Sequence, residues 1–134
     1  MQEEYKYRDI TEKIIGCGMN VHRFLGPGFP EIVYERSLLI ELQSCGLVCE
    51  SQVEMDIYFR GSWVGKRRLD LLVERKVLVE LKAVSVIEDD SYSKILNYLK
   101  VFGFEVGLLL NFGKPSLQFK RFALSKNLRN PSHP

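Results

Sequence analysis

Cysteine and histidine are scarce in this chain. Only Cys17, Cys45 and Cys49 occur, an odd number with no Cys-x-x-Cys pair, and the only histidines are His22 and His133. This argues against a zinc site and against a disulfide framework, and the three cysteines read as buried or half-buried thiols in a reducing compartment. No apolar run approaches the ~20 residues needed to span a bilayer. The opening MQEEYKYRDITEK is polar and has no hydrophobic signal segment. The expectation is a cytoplasmic protein with no membrane partner. Acidic residues are missing after Glu105, where Lys114, Lys120, Arg121, Lys126 and Arg129 follow. A second basic cluster is Lys66-Arg67-Arg68. Each cluster reads either as phosphate contacts or as solvated surface charge. A net charge of +2 is too small to imply nucleic acid by itself.

What is present suits one domain: 134 residues, 46% hydrophobic and 27% charged. Residues 1–126 read as that domain and 127–134 as a disordered basic tail. Apolar spacing predicts a helix from Asp9 to about Leu25, in which Gly16 and Gly18 either weaken the helix or mark close packing. Gly26 to Pro30 is a turn, Glu31 to about Cys45 a second helix with Pro30 suiting its first turn, and Gly46 the stop. Three strands follow, at about 47–59, 63–74 and 76–84. Asp89 or Asp90 is expected to cap a helix to Phe102, ended by Gly103. Strands at about 105–112 and 117–124 complete an order α-α-β-β-β-α-β-β. A meander followed by a helical crossover implies an α/β (α+β) fold, a mixed sheet with helices on its faces.

The stretch LDLLVERKVLVELKAV places Asp70, Glu80 and Lys82 within otherwise apolar strands. An unpaired buried charge costs several kcal/mol, roughly, after relaxation. A structural ion-pair cluster or a metal site would offset that cost. Strand side chains two apart share a face, so Glu80 and Lys82 point one way with Leu78. A hairpin around Arg75 sets Asp70 opposite about Glu80. Two adjacent carboxylates repel unless a cation lies between them, and Mg²⁺ suits such a pair together with water and phosphate oxygens. Lys82 could then stabilise an attacking hydroxide or developing phosphate charge. On the second helix, Glu31 shares the apolar face of Tyr34, Leu38 and Leu42, which aims it toward the same patch. His22 tempts as a general base, but a packed helix histidine is the better reading. Tyr58 and Trp63 near the hairpin tip could stack on bases or simply pack.

Asp70, nine residues, then Glu80-Leu81-Lys82 resembles the D…(D/E)xK motif of the PD-(D/E)xK nuclease superfamily. GPGFPEIVY, with Gly28, Glu31 and Tyr34, matches the namesake motif of the GxxExxY family, which is similar to that superfamily. The segments DLLVE, VLVELKAV, ILNYLK and VGLLLNFG also resemble that family's blocks, in order. The resemblance implies a restriction-endonuclease-like αβββαβ core, a central mixed sheet flanked by helices, and a Mg²⁺- or Mn²⁺-dependent nuclease. It implies Asp70, Glu80 and Glu31 as metal ligands with the Leu81 backbone carbonyl, and Lys82 as the residue assisting water. Lys94, Tyr98, Tyr34 and Arg68 are the implied substrate-binding set. Lys94 departs from the pattern, because relatives usually carry Gln there. Nucleic acid, DNA first, is the implied partner, and a homo-oligomer stays open. The alternative is a nuclease-fold module that binds nucleic acid or a protein without useful turnover.

Overall fold

The computed structural model describes residues 6–124. The expected tail at 127–134 lies outside the described residues, as do Lys126 and Arg129 of the basic cluster after Glu105. The elements are α1 (Arg8–Leu25), α2 (Glu31–Ser44), β1 (Cys49–Phe59), β2 (Ser62–Val73), β3 (Val77–Lys82), α3 (Asp89–Phe102), β4 (Val106–Asn111) and β5 (Gln118–Ala123). The sheet order is β1-β2-β3-β4-β5. Only β3 and β4 run parallel, joined through α3; the other neighbours are antiparallel. This is the αβββαβ arrangement expected from the element order.

Two cores lie on opposite faces of the sheet. One packs Ile14, Cys17 and Val21 of α1 and Tyr34, Leu38 and Leu42 of α2 against Leu71, Val73, Val77, Val79, Leu81 and alternate residues of β4. The other packs Ile95, Leu99 and Phe102 of α3 against Leu69, Leu78, Leu109 and Phe122. Burial on both faces explains why β3 and β4 are near-continuous apolar runs. Each such side chain contributes about 1.5–3 kcal/mol on leaving water. Gly18 is the point where α1 closes on the sheet: a Cβ there would lie 3.1 Å from Leu117 and 3.5 Å from Leu110. Gly16 has open space around it, so only one of the two glycines marks close packing.

Two local readings need correction. Glu88, not Asp89 or Asp90, is the N-cap of α3, and no side chain caps that end. Asp89 and Asp90 stand instead in the first turn, where negative charge is favoured by the helix dipole. Pro30 is likewise the extended N-cap of α2, just ahead of its first turn. The thiols are free: Cys17 is buried, Cys49 half-buried and Cys45 exposed, with the Cys17 and Cys45 sulfurs 3.4 Å apart.

The segment leaving β3 is clamped by Asn111, whose side chain is fully buried. Its Oδ1 accepts from the Val84 and Gly113 N–H groups at 3.0 and 3.1 Å. Its Nδ2 donates to the Val84 carbonyl at 2.9 Å and to Gln118 Oε1 at 3.0 Å. All four hydrogen-bonding capacities of the amide are therefore used. Gly113 lies so close to Val84 that an added Cβ would sit 2.3 Å from Val84 backbone atoms. Backbone cannot swing aside as a side-chain tip can. Gly113→Ala should therefore destabilise the protein by about 2 kcal/mol or more, read as a lower urea midpoint at unchanged slope. An unchanged midpoint would show that the Val84 segment moves freely.

Candidate active site

The β2–β3 register pairs Leu71 with Val79, Leu72 with Leu78 and Val73 with Val77. One step further, Asp70 stands against Glu80. There the backbone ladder gives way to side chains. The Asp70 N–H donates to Glu80 Oε2 at 3.1 Å, and the Leu81 N–H donates to Asp70 Oδ2 at 2.8 Å. Each carboxylate thus spends one oxygen on the other strand's backbone and leaves the other for a cation. Glu80 is only 6% exposed. Burial first, and the neighbouring Asp70 charge second, push its carboxyl up to about 7. Asp70 is also raised, by burial, against the pull of the Leu81 N–H, Lys94 and Lys82.

Glu31 stands exposed in the first turn of α2, at the rim of this pair. Partial desolvation and the Asp70 charge raise its carboxyl, while Lys82 and Lys94 pull it down. The electrostatic coupling places Asp70, Glu31, Lys82 and Lys94 in one neighbourhood. Lys94 reaches in from α3, with Nζ 3.5 Å from Glu80 Oε1. Burial works against its charge, but Glu80 chiefly, with Tyr98 and Asp70, outweighs this and raises its pKa. A groove of about 740 Å³ opens beside it, with Arg67, Arg68, Lys82, Lys94, Asn97 and Tyr98 in its walls.

Other residues singled out in the sequence lie elsewhere. Tyr34 is fully buried, stacked on Phe112 at 4.6 Å between ring centroids. Its hydroxyl donates to the Gly26 carbonyl at 2.5 Å and accepts the Phe29 N–H at 3.2 Å. Tyr34 therefore braces the Gly26–Pro30 turn from inside the core rather than facing the groove. His22 is buried, and its Nε2 lies 2.8 Å from the Lys114 carbonyl, which makes that nitrogen a donor and leaves it no role as a base. By contrast, Arg67 and Arg68 line the groove, although Lys66 and Arg68 also reach Glu54, at 3.2 and 3.6 Å. Tyr58 and Trp63 are exposed at the hairpin tip, where Trp63 Nε1 donates to Asp56 at 2.9 Å.

Two site residues escaped the sequence reading. Glu35 is 5% exposed and accepts a 2.7 Å hydrogen bond from Gln52 Nε2. Gln52 has φ 54° in the middle of β1. Ser51 pairs with Leu71 and Val53 with Leu69, so this left-handed residue lies across from Asp70. Burial and the Asp70 charge raise the Glu35 carboxyl against that hydrogen bond. The available signal was spacing: Glu35 falls on the i+4 position of the stripe Glu31, Leu38 and Leu42.

Among the described residues, no group of three or more His, Cys, Asp or Glu side chains is gathered closely enough to hold a metal ion. The donors present still suit a hard divalent cation, because two carboxylates and a backbone carbonyl are the oxygen ligands Mg²⁺ prefers. Burial is the larger cause of the raised Glu80 and Glu31 carboxyls, and the Asp70 charge adds a repulsion that such an ion would relieve.

A carboxyl raised on folding favours the folded state when protonated. The Glu80 contribution is therefore complete below the unfolded value of 4.5 and is lost as pH rises through about 7. Without metal, stability should fall across that window, by about 3 kcal/mol at most for this group. Glu80→Gln should flatten the slope and exceed the wild type in stability at pH 8. Denaturant titrations of both proteins across pH test this, and parallel profiles would remove Glu80 as the cause.

The comparisons with known proteins agree with this fold. No curated protein matches the chain. Among solved structures, it is similar to the crystal structure of SSO0001, with a TM-score of 0.55 and 18% sequence identity over 72% of this chain. That likeness concerns the fold, and this chain spans about half (52%) of that one's length. No helix among the described residues is long and apolar enough to cross a membrane. The model of the PD-(D/E)XK nuclease superfamily matches residues 8–122, a span that holds both the mixed sheet and the Asp70–Glu80 pair, and the chain belongs to that superfamily.

Proposed function

We propose that this chain is a divalent-metal-dependent phosphodiesterase acting on nucleic acid, with DNA the first expectation, and that it belongs to the GxxExxY branch of its superfamily. The observation that carries the reading is the Asp70–Glu80 interlock, which opens beside Lys82 into a groove lined by cations. Asp70 and Glu80 would hold Mg²⁺ or Mn²⁺, with Glu31 and the Leu81 carbonyl completing the ligand set. When bound, the ion would supply Lewis-acid polarisation of a phosphoryl oxygen.

The chain's own residues then have distinct tasks. Lys82 shares the Glu80 face of β3 and stands at the groove wall, so its ammonium can hold the attacking water or stabilise charge growing on the phosphate. Arg67 and Arg68 come from β2, and Lys94 and Tyr98 from α3. They flank the groove from two sides and can fix successive phosphates. Glu35 and Gln52 hold the back of the site against Asp70.

A second reading, a nucleic-acid-binding module with little turnover, draws support from the Lys94 ammonium already resting on Glu80. Cleavage assays separate the two. Mg²⁺ or Mn²⁺ should raise the Tm by mass action and support cleavage of DNA. Lys82→Ala should cut the rate about 10²-fold or more while keeping the metal-induced rise in Tm. Absence of cleavage of DNA and RNA with either ion, alongside retained binding, would select the module.

Binding itself should be strongly salt-dependent. Arg67→Ala and Arg68→Ala should each flatten the log–log salt slope on duplex DNA by about 0.9. An unaltered slope in both variants would place the phosphates elsewhere.

A further inference from the structure

We propose that Lys94 is a movable counter-cation. It occupies Glu80 in the free protein and transfers to a nucleic-acid phosphate in the groove, so that divalent metal and nucleic acid bind with positive coupling. The inference rests on reading Asp70 and Glu80 as metal ligands.

Three observations carry it. First, the Lys94–Glu80 contact is one-sided. Glu80 is sealed in, with 7% of its side chain exposed, whereas Lys94 remains 46% exposed. The 3.5 Å separation exceeds the roughly 2.7–2.9 Å of a close charge-assisted hydrogen bond. Such a loose, half-solvated pair is readily exchanged. Second, Glu80 Oε2 is committed to the Asp70 N–H, so Oε1, the oxygen Lys94 faces, is the one left for a metal. A divalent ion there would meet the ammonium at short range, and the two cations exclude each other. Third, the groove is within reach of Lys94. It lines the groove with Arg67, Arg68, Lys82 and Asn97, and its Nζ lies 5.5 Å from the Tyr98 ring centroid. A lysine has a flexible four-carbon stem and three rotatable donors, so it can swing from the carboxylate to a phosphate without movement of α3.

The thermodynamic consequence is reciprocal. Phosphate in the groove draws Lys94 from Glu80 and tightens metal binding; metal expels Lys94 toward the groove and tightens phosphate binding by the same factor. Direct contact between phosphate and metal would also couple the two ligands. The part owed to Lys94 is the part that disappears when its charge is removed.

The test is Ca²⁺ binding by calorimetry, with and without a short DNA duplex, on wild type, Lys94→Gln and Lys94→Arg. It is run well above the Glu80 value of about 7, so that protons do not compete. In the absence of DNA, Lys94→Gln should bind Ca²⁺ about 10-fold more tightly than wild type, within the usual range for coupled sites. The tightening produced by DNA should shrink in Lys94→Gln by the same factor. Lys94→Arg keeps the charge and should follow the wild type, which separates a charge effect from damage to α3. Equal Ca²⁺ affinity and equal coupling in wild type and Lys94→Gln would overturn the counter-cation while leaving the metal site intact. Weaker Ca²⁺ binding by Lys94→Gln would overturn it too. Failure of all three proteins to bind Ca²⁺ or Mn²⁺, with or without DNA, would overturn the metal-dependent reading itself, and the counter-cation with it.

Discussion

The structure turns on a short exchange of hydrogen bonds between β2 and β3. Asp70 and Glu80 each offer the opposite strand's N–H a carboxylate where their own strand would otherwise present a backbone carbonyl. A sheet bond is thereby replaced by an acidic site without orphaning the N–H groups involved, whose loss would cost about 1–3 kcal/mol each. The site is thus inseparable from the hairpin. Moving either carboxylate would break a strand contact as well as the acidic pair.

Holding two acids so close has consequences around them. Burial raises the Asp70 carboxyl, and burial together with the Asp70 charge raises Glu80, Glu31 and Glu35. The protein offsets this with cations from two directions: Lys82 on the same strand and Lys94 from α3. Gln52 adds a neutral donor to Glu35 at the cost of a left-handed residue inside a strand. Strain of that kind, about 1–3 kcal/mol, persists where the surroundings over-determine it, commonly at functional sites.

How much of this was legible in the sequence follows from the range of each interaction. Alternation along VLVELK revealed that Glu80 and Lys82 share a face, and hairpin counting around Arg75 set Asp70 against Glu80, because both depend only on strand periodicity. The helix bearing Glu31 was marked by GPGFP and the stripe behind it. Glu35 was hidden because its partner Gln52 is brought to it only when β1 folds over α2. The family motif points to Tyr34 as substrate-binding, and its spacing from Glu31 could not show that its hydroxyl turns back to the Gly26 carbonyl. The four-way clamp at Asn111 was illegible for the same reason: its partners Val84 and Gln118 lie on either side of a crossover.

The turn between β2 and β3 ties the site to the start of β1. Glu74 and Arg75 both adopt positive φ, 55° and 52°, with no glycine or asparagine to ease them. Left-handed backbone costs such residues about 1–2 kcal/mol each. Compensation arrives from β1: the Glu74 carboxylate accepts the Val48 N–H at 2.6 Å, the Glu74 N–H donates to the Val48 carbonyl at 2.7 Å, and Arg75 reaches Glu50 at 2.9 Å. The β2–β3 turn is therefore held from outside, by the chain entering β1 and by β1 itself, and not by a glycine or asparagine of its own. Whatever loosens the start of β1 also loosens the hairpin that sets Asp70 against Glu80.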